Sequence, residues 1–307
     1  MRKTLLLVLI TLIPLTLGLS ACASLATRTP GPDQIAVVAT TSILADVVKQ
    51  VGGERVFITT LVPPGSSEHE YQATPRDVAA VSDAALVFEI GLDLEQFMKV
   101  ISQNSAPTVK PVIVSNGIVT RQFTSNGGGE QYSADPHVWM DPTNVIVWVN
   151  NIQAALSTYD PAHKDIYAAN ATAYITQLQA LDQWIVEQVK NIPPAKRLIV
   201  TDHMLFGYFA ARYEFTVVGA LIPSYSSVAE PSARDIANLE DAIRNYGVKV
   251  ILVGDNVNST LGNRVADDTG IRLVQFYTGS LSAPDGPAAT YLAYMRFNVN
   301  TIVKALS

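Results

Sequence analysis

Three histidines stand at places where a chain of this kind would do chemistry. His69 lies in Pro63-Pro64-Gly65-Ser66-Ser67-Glu68-His69-Glu70, shortly after a β-branched run ending at Leu61. His137 lies in Asp135-Pro136-His137-Val138-Trp139-Met140-Asp141-Pro142, and His203 comes two residues after a run ending at Thr201. In open α/β sheets, ligands bind outside the carboxyl ends of strands, so these positions can converge on one cleft. Neutral imidazole is the commonest metal-binding side chain, and clustered nitrogen donors suit zinc and its first-row neighbours. The wide sequence separations match no local zinc motif, so the argument rests on placement alone. His163, the fourth histidine, falls on the first turn of a long helical pattern and reads as an exposed surface group.

The same three histidines admit another chemistry. Three nitrogens with an open fourth position is also the plan of a catalytic zinc site, in which bound water ionises near neutral pH. No general base stands at a fixed spacing from them, so a zinc hydrolase or hydratase is the weaker alternative. An adhesion or scaffold protein with a lost metal site is a third.

The elements that must position the histidines alternate in type. Short β-branched runs near 35–40, 55–61, 85–90 and 111–115 are separated by helical patterns, and runs near 197–201, 215–219, 249–254 and 272–276 repeat the arrangement. Such alternation implies βαβ units and parallel sheets. Thr74-Pro75 followed by Asp77 supplies a capping side chain, a proline at the first helical position and an acid in the first turn. Asp141-Pro142 and Asp160-Pro161 have the same form. Residues 161–191 carry no glycine, and apolar Ile166, Tyr174, Leu178, Leu181 and Ile185 recur near helical spacing. They predict one helix of about 30 residues, roughly 45 Å long. The expected fold is α/β: two Rossmann-like lobes, each with a mainly parallel four-stranded sheet, joined by one long rigid helix. The lobes are expected at 35–160 and 192–307, with a cleft between them.

The amino terminus adds a location. Arg2 and Lys3 precede an uncharged, leucine-rich stretch, which reads as an export signal over residues 1–21. Leu19-Ser20-Ala21-Cys22 looks like the lipobox of bacterial lipoproteins, in which the cysteine is lipidated and becomes the first residue of the mature chain. Residues 22–34 then form a lipid-anchored tether. The protein is expected outside the cytoplasmic membrane, at the cell surface or in the periplasm. Cys22 is the only cysteine, which excludes a disulfide framework and any cysteine-built zinc, haem or iron–sulfur site. The 307 residues carry a formal charge of −6, with no basic run longer than a pair such as Arg2-Lys3, which argues against nucleic acid as a partner. The loop 121–134, with its Gly127-Gly128-Gly129 run, lacks the lysine and following helix of a phosphate loop.

Taken together, these stretches resemble the metal-binding lipoproteins of bacterial zinc and manganese ABC transporters, the cluster A-I solute-binding proteins. The similarity is carried by Pro64-Gly65 through His69-Glu70-Tyr71, by 135–142, and by Val200-Thr201-Asp202-His203 with Phe206-Gly207-Tyr208-Phe209. Glu230-Pro231-Ser232 and Asp285-Gly286-Pro287 through Tyr291 extend it. The resemblance implies that His69, His137 and His203 hold a divalent metal as transported ligand: Zn2+ favoured, with Mn2+ or Fe2+ as alternatives. It also implies a monomer that delivers the ion to a cognate ABC permease and its ATPase. The family's fourth ligand is an aspartate just before Ser-Leu in the last strand–helix loop, where this chain has Gly279-Ser280-Leu281. Asp255 is the first candidate to replace it and Asp285 a more distant one. Glu68, Asp202 and Glu230 are candidates to accept hydrogen bonds from the outer nitrogens of metal-bound histidines.

Overall fold

A computed structural model describes residues 29–104, 111–122 and 134–307. Cys22, the export signal and most of the glycine-rich loop lie outside these residues. The first sheet contains β1 (Ile35–Thr41), β2 (Val56–Val62), β3 (Leu86–Glu89) and β4 (Val112–Ile113) in the order β2-β1-β3-β4, all parallel. Packed with it are α1 (Ser42–Gly52), α2 (Pro75–Asp83), α3 (Met98–Asn104) and α4 (Pro142–Tyr159). The long helix α5 (Lys164–Val189) follows. The second sheet, β5 (Leu198–Thr201), β6 (Thr216–Ala220), β7 (Val250–Gly254) and β8 (Arg272–Phe276), runs β6-β5-β7-β8 and is also parallel throughout. Its helices are α6 (Gly207–Tyr213), α7 (Ala233–Tyr246), α8 (Thr260–Thr269) and α9 (Tyr291–Leu306).

The two sheets therefore share one topology, each with its first strand inside and its second at an edge. Every expected strand forms. The widest departure is β4, which keeps only two paired residues at the sheet edge. The capping signal at Thr74 forms as expected: its side chain accepts from the Asp77 N–H while Asp77 accepts from the Thr74 N–H. Asp141 likewise caps α4 by accepting from the Thr143 N–H.

The third such signal behaves differently. Asp160 makes no capping bond; its carboxylate takes the His163 ring, the Tyr167 hydroxyl and the Arg55 guanidinium. Residues Pro161–His163 form a separate 3-10 turn, which leaves α5 with 26 residues, about 39 Å at 1.5 Å per residue. The buried stripe of α5 is Tyr167, Ala171, Tyr174, Leu178, Leu181, Ile185 and Val189. Steps of three and four keep these side chains on one face. Ile166 falls off that face and is exposed, against the sequence expectation.

One hydrophobic cluster runs from Val37 and Ile43 in the first lobe, through Trp148 of α4 and Leu178 of α5, to Phe206, Leu252 and Tyr294 in the second. Close-packed interiors transmit displacement rather than absorb it, so α5 joins the lobes as a wedge within a shared core. The outer faces have smaller cores of their own, around Val81 and Ile101 in the first lobe and Ile243 and Val265 in the second. Among the described residues, no helix is long and apolar enough to cross a membrane.

Candidate metal centre

The carboxyl ends of both sheets deliver the three histidines to one point. His69 rides on the loop leaving β2. That loop turns at Pro63–Ser66, with Gly65 at φ +81°, a conformation that favours glycine. The Gly65 N–H donates to Ser280 Oγ of the second lobe at 2.7 Å, and at the far end Tyr71 donates to Asp77 in α2 at 2.9 Å. His137 stands at the entry to a buried 3-10 turn, Val138–Met140. His203 follows β5 directly, where Asp202 accepts from the Gly254 N–H at the end of β7 at 2.7 Å.

The geometry is that of a donor set. His69 Nε2 lies 3.2 Å from His137 Nε2, which lies 3.3 Å from His203 Nε2. Metal–nitrogen bonds of about 2.0–2.1 Å at tetrahedral angles place donor atoms about 3.3–3.4 Å apart, so these are the spacings of one coordination sphere. The outer nitrogens of two rings are held by carboxylates. His137 Nδ1 donates to Asp135 Oδ1 at 2.9 Å, and His203 Nδ1 donates to Asp202 Oδ1 at 2.8 Å. With the proton on Nδ1, each Nε2 turns its lone pair toward the common centre. Lone pairs cannot face one another at such distances unless a proton or a metal cation lies between them.

The electrostatics agree. Burial pushes His69 down to about 3 and His137 well below the usual histidine range, with charge on His203 adding to both effects. Burial also opposes charge on His203, but Asp202, Glu68 and Asp135 outweigh it and raise that ring. Burial lifts the carboxyls of Asp135 and Glu68 to about 7. Three carboxylates and three imidazoles thus share a pocket closed to water, with His137 and Asp202 each 1% exposed. Such a pocket favours a compact cation.

Of the residues expected to hold an outer ring nitrogen, Asp202 does so at His203, whereas Glu68 is buried beside the site but faces the inward nitrogen of His69. Glu68 Oε1 lies 3.6 Å from His69 Nε2. Glu230 is exposed and does not belong to the converging set. Asp255 and Asp285 are also exposed and outside that set, so neither stands where the missing aspartate would; the Asp255 backbone N–H is tied to Phe276 O at the end of β8. Asp135 was not anticipated, although Asp135-Pro136-His137 carries a signal: like Asp202 beside His203, it is an acid close enough in sequence to reach its histidine's Nδ1. Aspartates 135 and 202 orient the rings, so Asp135→Asn and Asp202→Asn are each expected to weaken metal affinity about 10–100-fold, read by competitive titration. An unchanged affinity in both would remove them from that role.

The sequence profile of the family described as zinc-uptake complex component A, periplasmic (ZnuA), matches residues 37–305. The chain belongs to this family. It is 35% identical over 272 residues to the manganese-binding lipoprotein MntA of Halalkalibacterium halodurans, covering 88% of each chain. It is 32% identical over 313 residues to the metal ABC transporter substrate-binding lipoprotein SloC of Streptococcus mutans, covering 100% of both. The periplasmic zinc-binding protein TroA of Treponema pallidum superposes with a TM-score of 0.82 at 26% identity, over 89% of this chain and 99% of that one. These relatives are substrate-binding transport proteins, not enzymes, which removes the hydrolase alternative. The two parallel four-stranded sheets are those of the TroA-like fold. The relatives' names divide between manganese and zinc and do not determine this chain's metal.

Proposed function

We propose that this protein captures one divalent transition metal between its lobes and hands it to an ABC permease. Zinc is the preferred ion. His69, His137 and His203 supply three nitrogens, and Glu68 turns its carboxylate in as the fourth donor. The convergence of three Nε2 atoms at coordination spacing, with two of the rings oriented by buried aspartates, carries the reading. A set of three imidazoles and one carboxylate favours zinc over manganese, whose preferred donors are oxygens. Lipidation at Cys22 would hold the protein outside the cytoplasmic membrane, close to the permease it serves.

The shared core around α5 opposes a wide hinge, so loading and release proceed through local movement of the loops at the cleft. Elemental analysis of the purified chain, followed by competitive titration with zinc, manganese and iron, tests the assignment. The expected result is one zinc per chain, with zinc bound more tightly than manganese. A triple alanine variant at His69, His137 and His203 that binds as well as wild type would overturn it.

A further inference from the structure

The amino end of the second sheet, opposite His203, carries positive charge that metal capture leaves unused. The adjacent strands β5, β7 and β8 open at that end onto a cavity of about 610 Å³, within the range of small-molecule sites. Lys196 enters it from the turn before β5, Lys249 from the residue before β7, and Arg272 from the first residue of β8. The Arg272 backbone N–H donates to Lys249 O at 3.1 Å, so these two residues are neighbours across the sheet. Arg244, from the last turn of α7, is the fourth cation, and among the described residues no aspartate or glutamate lines the cavity.

Positive charge at this end of a parallel sheet has an ordinary use. The helices that return to it end there, and each helix carboxyl end carries about half a negative charge. The two arginines serve those ends. Arg244 donates to Asp268 O near the end of α8 at 3.3 Å and pairs with Glu240 at 3.1 Å. Arg272 donates to Ala305 O in the last turn of α9 at 2.6 Å. The ends of α7 and α8 are also closed by glycine caps, in which Gly247 N–H donates to Ile243 O and Gly270 N–H to Ala266 O. The two lysines are left over. Both are exposed, and among the described residues neither ammonium has a hydrogen bond or an ion pair. Beside them Tyr246, 63% exposed, also lines the cavity.

We infer that this cavity binds an organic phosphate. Its phosphate oxygens accept from both lysines, which act as point charges, and from the Arg272 nitrogens that Ala305 does not occupy. The Tyr246 ring offers an apolar face that a bare ion would not use but the organic part of a phosphoester would. A soluble phosphoester and a phospholipid headgroup present the same chemistry to these cations. The cavity shares no residue with the metal centre.

The test is isothermal titration of the full chain in detergent micelles, at low ionic strength, with phenyl phosphate and with inorganic phosphate. Phenyl phosphate is expected to bind about threefold or more tightly than inorganic phosphate, and Tyr246→Ala to remove that difference. Lys196→Ala and Lys249→Ala are each expected to weaken phenyl phosphate binding about tenfold, the scale of one hydrogen bond to a charged group. Zinc affinity and metal-free melting should not change in these three variants, whose side chains are exposed and outside the donor set. Micelles doped with phosphatidylglycerol separate the two sources: loss of the phenyl phosphate signal assigns the cavity to a lipid headgroup, and an unchanged signal assigns it to a soluble phosphoester. No binding of phenyl phosphate in undoped micelles, equal affinity for the two phosphates, or binding that survives the double variant Lys196→Ala/Lys249→Ala would overturn the inference. Failure of wild type to bind zinc would bear on the metal-capture reading alone.

Discussion

Alanine at His137 is expected to weaken metal binding by well over 100-fold, more than any loss of an orienting carboxylate. His137 is the vertex of the donor set, since its Nε2 is the atom that lies 3.2 and 3.3 Å from the other two. Removing it leaves His69 and His203 without their common neighbour. It also takes from Asp135 the ring nitrogen that it holds at 2.9 Å, so a carboxylate only 1% exposed keeps the His137 backbone N–H and little else. Leaving a buried polar group without its partner typically costs about 1–3 kcal/mol. Isothermal titration with zinc checks the first effect and metal-free thermal melting the second. Retention of affinity within tenfold of wild type would mean that the ion binds elsewhere.

Trp139→Ala is expected to cost about 3–5 kcal/mol of stability, the range for truncating a buried aromatic in a close-packed core. The indole is 1% exposed, lies edge-on to His137 with ring centroids 5.3 Å apart, and donates from Nε1 to Thr278 O in the opposite lobe. The Trp139 carbonyl accepts from the buried Tyr291 hydroxyl at 2.7 Å. Truncation therefore opens a cavity at the seam between the lobes and loosens the segment beside Gly279. The midpoint of metal-free melting should fall on the order of 10 °C. Val119→Ala, at a side chain 89% exposed, should leave it unchanged. A Trp139→Ala protein that melts like wild type would show that the seam does not depend on this side chain.

Much of this organisation is legible along the chain because it depends on local causes. Strands follow from β-branched runs, and the caps at Thr74 and Asp141 follow from side chains that reach only two or three residues ahead. Where two local partners compete for one side chain, sequence alone misjudges the result. Asp160 looks like the third cap, yet its carboxylate is drawn to His163, Tyr167 and Arg55, and the last of these stands 105 residues earlier in the chain. The helix consequently starts later than its apolar pattern suggests. Adjacent residues of an α-helix point about 100° apart, so Tyr167 is buried while Ile166 faces water.

The sequence by itself determined the alternation of strands and helices, the long helix between two sheets, and three histidines placed at strand ends, because periodicity, capping and chain order are local properties. The resemblance to the family, rather than any local pattern, marked Gly279 as the position lacking a donor. Which carboxylate stands nearest that gap was decided only by the tertiary structure. Asp255 and Asp285 are nearer to Gly279 along the chain, but chain distance does not set spatial distance once parallel crossovers have folded. The anchors on Thr278, Ser280 and Leu281 press the loop of the second lobe against the loop of the first, and Glu68 occupies the volume that a side chain at 279 would need. Two groups cannot share that volume, and this exclusion exists only between surfaces that folding brings together.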